Sequence, residues 1–218
     1  ARLEWRHDQR LARAVVIDRS AQGLPDDDEV YLYDGGGNRM RRIMRRMLAG
    51  GIIERIEVTY FAGGQRRRIF RDAQMILERF TTRLSDGLSD VAELYRWTRD
   101  TTARETDDIT AIRLRYTLGD HLGSASLRLD EAANIISYEE DLPYGQRAFV
   151  AGDDSREVAL KTFGFLGRER DDATGLHHIG HSYYASSLGL WCSPDPAGGD
   201  GGASREIYAQ CIAGRSLA

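Results

Sequence analysis

The side chains best suited to chemistry crowd into one stretch, Gly167 to Pro196. A charge cluster, Arg168, Glu169, Arg170, Asp171 and Asp172, runs into Thr174, Gly175 and Leu176. Then come His177, His178 and His181, the pair Tyr183 and Tyr184, an apolar run to Trp191, Cys192, and Asp195 before Pro196. His177 and His181 have a spacing that holds zinc when both lie on one helix face. No Glu stands where a zinc peptidase needs its base, and no helical pattern surrounds them, so packing or surface roles are expected and no metal. Cys192 beside a histidine has the makings of a nucleophile pair, but nothing in the sequence orients it. Taken alone, Glu169 to Asp171 reads as an exposed charge run and Asp195-Pro196 as a turn.

The remaining sequence must position this stretch. The chain has 218 residues, 41% hydrophobic and 29% charged, with a net charge of -4. So small a net charge points neither to nucleic acid nor to a membrane surface. No run approaches the roughly 18 apolar residues of a membrane span. The first residues carry no signal-peptide core. They open mid-pattern, and a piece of a longer protein is the expectation. Cys192 and Cys211 are too few for a disulfide framework, and both are expected as thiols. Neither Gly35 to Gly37 nor Gly198 to Gly202 is followed by the Lys-Ser/Thr of a phosphate loop, and no cofactor is expected.

Period-two alternation is the dominant pattern. Ala14 to Ile17, Glu29 to Tyr33, Ile56 to Tyr60, Arg68 to Arg71, Arg113 to Leu118, Ser124 to Asp130 and Ile135 to Glu139 read as strands. Asp34-Gly35-Gly36-Gly37-Asn38, Gly50-Gly51, Gly63-Gly64, residues 119–123 and residues 131–134 read as turns, because Gly and Asn accept positive φ. Residues 26–28 and 98–108 are expected as loops. Residues 39–49 are ambiguous. Met40, Ile43, Met44, Met47 and Leu48 fall at helical spacing, while the flanking hairpins favour a strand, which is the expectation. The arginine pairs at 41–42 and 45–46 then form a charged outer face. Residues 74–80 fit helix or strand. Short strands with turn signals between them predict an all-β, antiparallel meander. It needs a second layer or closure, since an open sheet leaves its edges unpaired.

Several segments resemble a known family. Tyr31-Leu32-Tyr33-Asp34-Gly35-Gly36-Gly37-Asn38-Arg39 resembles the tyrosine-aspartate (YD) repeat, and Trp5 to Leu11 looks like a variant of it. Tyr116 to Ser124, with Asp120-His121-Leu122-Gly123-Ser124, is similar to an element of the rearrangement-hotspot (RHS) core. Leu142-Pro143-Tyr144-Gly145, Phe165 to Leu176, Tyr183-Tyr184, Trp191 and Ser193-Pro194-Asp195-Pro196 follow in the family's order. The wording is most similar to the C component of insecticidal toxin complexes.

The resemblance implies an antiparallel β-hairpin ribbon that spirals into a hollow shell around a C-terminal toxin cargo, with the RHS core as a plug. Residues 1–115 would be YD-repeat ribbon, 116–200 the core domain and 201–218 a divergent tail. Implied partners are the rest of its own shell, a B-type shell subunit and the cargo. The protein would be secreted or cell-surface associated. The core of this branch cuts its own chain as an aspartyl protease, and the residues carried over are Asp171, Asp195 and Arg170. Such chemistry needs two carboxylates sharing a proton, one as base on a water and one as acid. Arg170 would orient a carboxylate or the scissile carbonyl. The chain departs from the family pattern at His177, His178, Ser182, Ser186 and Leu190, and shows no second Asp-Pro after Asp195. The expectation is therefore a self-cleaving ancestry with an incomplete site. The alternative reading from another class is a carbohydrate- or receptor-binding β module at a cell surface.

Overall fold

The computed structural model describes residues 2–87, 90–105 and 107–193. Twelve strands form one antiparallel sheet whose spatial order is the order of the sequence. They are β1 (Arg2–Trp5), β2 (Leu11–Ile17), β3 (Asp27–Tyr33), β4 (Arg39–Met47), β5 (Ile53–Phe61) and β6 (Gly64–Arg71). The series continues with β7 (Gln74–Ser85), β8 (Asp90–Asp100), β9 (Arg113–Gly119), β10 (Ala125–Leu129), β11 (Ile135–Asp141) and β12 (Arg147–Ala151). The all-β expectation is met; of the ambiguous segments, 39–49 is strand as far as Met47 and 74–80 is strand throughout.

Six turns of the large sheet share one bond pattern, which Gly164 to Arg168 repeats in the second layer. The N–H of residue i donates to the carbonyl of i+4, and the N–H of i+3 donates back to the carbonyl of i. The i+3 residue then takes positive φ, as at Gln9, Gly37, Gly51, Gly123, Ala133 and Gly145. This is a three-residue hairpin loop, a turn followed by a left-handed residue. Asp34 and Asp130 lock two of these loops. Each accepts the backbone N–H of Asn38 or Asn134 at 2.8 Å and the side-chain amide at 3.0 or 2.9 Å.

Three expectations need correcting. Asp27 and Asp28 belong to β3, where Asp28 is buried between Arg13 and Arg45 at 2.6 and 2.7 Å. Thr98, Arg99 and Asp100 end β8 rather than open a loop. Arg42 does not sit on an outer face with Arg41, Arg45 and Arg46, since it is turned inward and 1% exposed.

A second layer lies on one face of the sheet. It contains the short helix α1 (Ser155–Leu160) and a small sheet of β13 (His177–Ile179), β14 (Ser182–Ala185) and β15 (Leu190–Trp191). Asp154 caps α1 by accepting the Arg156 N–H at 2.9 Å. The apolar core between the layers is small. Leu11, Ala14, Tyr31, Leu176, Tyr183, Ala185 and Cys192 form one cluster, and Met44, Ile56 and Val58 another. Elsewhere the covered face is charged. Strand register aligns Arg42, Val58, Arg67, Arg79 and Trp97 in one row across five strands. Among the described residues no helix is long and apolar enough to cross a membrane.

Candidate functional site

Buried charge, rather than a pocket, is the centre of the interface between the layers. A regular strand sends residues three apart to opposite faces. The register of β3 against β4 shifts between Leu32 and Tyr33, and such a bulge re-aims side chains. It lets Arg39 and Arg42 both point inward, 8% and 1% exposed.

Opposite them, residues 163–177 fold into two successive tight turns. Phe163 bridges to Glu169 and Arg170 to His177. The Asp171 N–H donates to the Leu176 carbonyl at 2.8 Å, and the Gly175 N–H to the Asp171 carbonyl at 2.9 Å. Gly175 has φ +70° and lies against the Arg170 guanidinium, so a side chain there would meet both backbone strain and a close neighbour. Period-two alternation then turns Glu169 and Asp171 inward and Arg168 and Arg170 outward.

The two sets meet in a network. Arg39 Nη1 donates to both Asp171 oxygens, at 2.8 and 2.9 Å, and Nη2 donates to Tyr60 Oη at 3.0 Å and Glu169 Oε2 at 3.2 Å. Arg42 donates to Glu29 at 2.6 Å, Glu169 at 2.7 Å and Asp172 at 3.1 Å. Arg67 reaches Asp172 at 2.8 Å, and the Tyr60 hydroxyl donates to Glu169. Tyr31 donates to Glu29 at 3.2 Å. Burial opposes the charge on Arg39 and Arg42, but the carboxylates around them hold both guanidinium pKa values well above ordinary. Burial pushes the Asp171 carboxyl up, with Arg39 and Arg42 working against the rise. Glu29 is pushed up to about 7 by burial and by Asp171, against the pull of Arg42.

The expected site residues fall in three places. Asp171 is fully buried in the network. Arg170 is exposed, and its Nε donates to the Gly175 carbonyl at 3.3 Å. Asp195 lies outside the described residues, as does Cys211, and the structure brings Asp171 together with Glu169 around Arg39. A cleft of about 410 Å³ opens beside Asp171, Arg147, Arg168 and His177. Sequence reading missed Glu29, Arg39, Arg42, Tyr60 and Glu169 as partners. Their signal was present only in Tyr31 to Arg39 and in Glu169 to Asp171, where charge recurs without a surface period.

Among the described residues no cluster of side chains suited to a metal occurs. His177 packs edge-on to Phe165, and His178 lies 4.9 Å from the Tyr183 ring. Cys192 is buried in the Tyr183 cluster. Burial, with Arg170 and Arg147 nearby, lowers His177 to about 4, and burial, with Arg39 nearby, lowers His178 to about 3. An unfolded histidine takes its proton near pH 6.5. As pH falls below that value the unfolded state therefore binds more protons than the folded one, and stability is lost down to the folded values near 4 and 3. Each tenfold difference in proton affinity between the two states is worth roughly 1.4 kcal/mol. Glu29 acts in the opposite sense, gaining stability as pH falls from about 7. A His177→Tyr, His178→Tyr variant should thus lose less stability than wild type between pH 6.5 and 4. Urea midpoints across that range check it, and parallel curves would rule it out.

No protein-family model matches the chain. It is 30% identical to toxin subunit YenC1 of Yersinia entomophaga over 196 residues, which cover 90% of this chain and 19% of that protein. Among solved structures it is similar to TcdB2-TccC3, with 31% identity and a TM-score of 0.81 over 90% of this chain and 9% of that one. TcdB2-TccC3 without its hypervariable C-terminal region gives the same values. The chain thus spans about a fifth of the length of the curated relatives it matches.

Proposed function

We propose, from the homology of this chain to the Tc toxin subunits YenC1 and YenC2, that it is a wall-and-closure segment of a toxin-complex shell. In this reading residues 1–115 are YD-repeat ribbon and residues 116–200 are the RHS core that closes it. The observation that carries it is the network itself. Glu169, Asp171 and Asp172 are fastened to Arg39, Arg42 and Arg67, roughly a hundred or more positions earlier. A receptor-binding module needs no such tie, whereas a closure that must stay on its wall does. The six like turns support a repeating ribbon, and among the described residues β1 and β12 each have one paired neighbour, so both edges suit continuation by more ribbon.

The partners that follow are the rest of its own shell, a B-type shell subunit and a C-terminal toxin cargo, in a secreted assembly. This reading takes the hypervariable C-terminal region named for TcdB2-TccC3 as the counterpart of that cargo. Limited proteolysis of the full subunit tests the enclosure. The segment after the core should resist trypsin in the native protein and be cut after mild denaturation. Equal cleavage in both states overturns the enclosure.

Self-cleavage by Asp171, Asp195 and Arg170 is a second reading, favoured by the cleft beside Asp171. The geometry at Asp171 fits an anchor better than a base, because Arg39 occupies both of its oxygens. On a denaturing gel, wild-type subunit should run as two fragments and Asp195→Asn as one band. A single wild-type band removes self-cleavage, and two bands in both Asp171→Asn and Asp195→Asn remove this choice of residues.

A further inference from the structure

A second cavity, adjoining the Asp171 cleft at Lys161, Thr162, Arg170 and Asp172, lies between the sheet and α1. It holds about 320 Å³. Eight of its lining side chains are cationic and four are carboxylates. Most of the cations are spoken for. Arg67 pairs with Asp172 at 2.8 Å, Arg113 with Glu157 at 2.7 Å, Arg156 with Asp100 at 3.3 Å and Lys161 with Glu139 at 2.7 Å.

Arg79 differs from them. It is 5% exposed, lines the cavity, and has no ion pair or hydrogen bond among the described residues. Its guanidinium rests over the Tyr95 ring at 5.2 Å. Strand register places Arg67 directly opposite it on one side and Trp97 on the other. Like charges directly opposite across a strand pair repel, and an uncompensated buried ion is costly. Burial lowers Arg79 to about 10, with Arg67 and Arg128 contributing and Tyr95 and Glu93 opposing. At neutral pH it still carries its charge.

We propose that this cavity is an oxyanion-binding site, in which the Arg79 fork holds a small carboxylate or phosphate with Arg67 beside it. A guanidinium presents paired donors that match either group bidentately. A bound anion would supply the missing partner for Arg79 and relieve its repulsion with Arg67. The Trp97 ring would wall one side, and the Tyr95 ring beneath the Arg79 guanidinium would keep the local dielectric low, which strengthens the pairing. The site shares Arg42, Arg67, Glu169 and Asp172 with the network behind the shell reading, but its test reads anion binding at Arg79 rather than enclosure.

Calorimetric titration of the full protein with inorganic phosphate, and separately with acetate, at fixed ionic strength tests it. Saturable binding of one or both is expected, and the tighter of the two identifies the ligand class. Arg79→Met should weaken that binding at least tenfold and should raise the melting temperature of the anion-free protein, because a buried unpaired charge is removed. Arg79→Lys should keep the charge, lose the fork and bind with intermediate strength. Absence of saturable binding of both anions by wild type, or undiminished binding by Arg79→Met, overturns the proposal.

Discussion

Arg39→Met should lower stability by about 3–5 kcal/mol, the usual cost of removing one partner from a buried ion pair. The reason is what the change leaves behind. Asp171 is fully buried and takes both of its short bonds from Arg39. Its next cation, Arg42 Nε, is 3.7 Å away. Glu169 keeps Arg42 and Tyr60 and suffers less. The lost guanidinium also sits over the Tyr31 and Tyr60 rings at 5.8 and 5.1 Å, contacts that Met retains in part through its stem. Pairing Arg39→Met with Asp171→Leu should recover much of the loss, because the orphaned charge is then gone. Urea unfolding of the four proteins of this cycle measures it. A single-variant loss under about 1 kcal/mol, or a double variant no better than Arg39→Met, would show that the network does not hold the layers together.

Tyr183→Ala is expected to cost about 3–5 kcal/mol, as for other large aromatic truncations in a core. Tyr183 is 1% exposed and stands among Trp5, Tyr31 and His178, with centroids at 6.5, 5.3 and 4.9 Å. It joins β1 and β3 to the small sheet, so the cavity opens where the two layers meet. Tyr183→Phe removes only the hydroxyl contact with Tyr33 at 2.7 Å. Tyr33 donates to the Leu11 carbonyl at 2.9 Å, so Tyr183 is the donor to Tyr33 and its loss leaves only an unfilled acceptor. About 1 kcal/mol is expected for Phe. Unfolding midpoints and near-ultraviolet dichroism distinguish the two. Equal losses for Ala and Phe would assign the effect to the hydroxyl and reject the packing argument.

The ribbon was legible because its turns and its alternation agree. Asp34 to Asn38 names its loop by chemistry, and the strands on either side keep period two. Residues 39–47 were harder. Met40 and Met44 fit one helical face, yet in the strand Met44 is buried at 3% and Met40 is 43% exposed. The bulge between Leu32 and Tyr33 breaks the period, and no local pattern announces it. Helix α1 has six residues, too short for a periodic signal. The candidate site was legible only as a charge cluster. Glu29, Arg39 and Arg42 look like surface residues, because a single strand does not say what will cover it. Their partners arrive from residues 169–172, and only the tertiary structure supplies that pairing.

The strictly sequential strand order has a kinetic consequence. Among the described residues each of the twelve strands pairs only with its neighbours in the chain, so the sheet can assemble hairpin by hairpin, with small loops to close each time. Arg39 to Asp171 is a different event, closing a loop of 132 residues. The sheet can therefore grow while its charged face is still wet, and the desolvation of Arg39 and Arg42 is deferred until residues 169–172 emerge. The slow step of folding is then the last one, the docking of a finished latch on a finished strip.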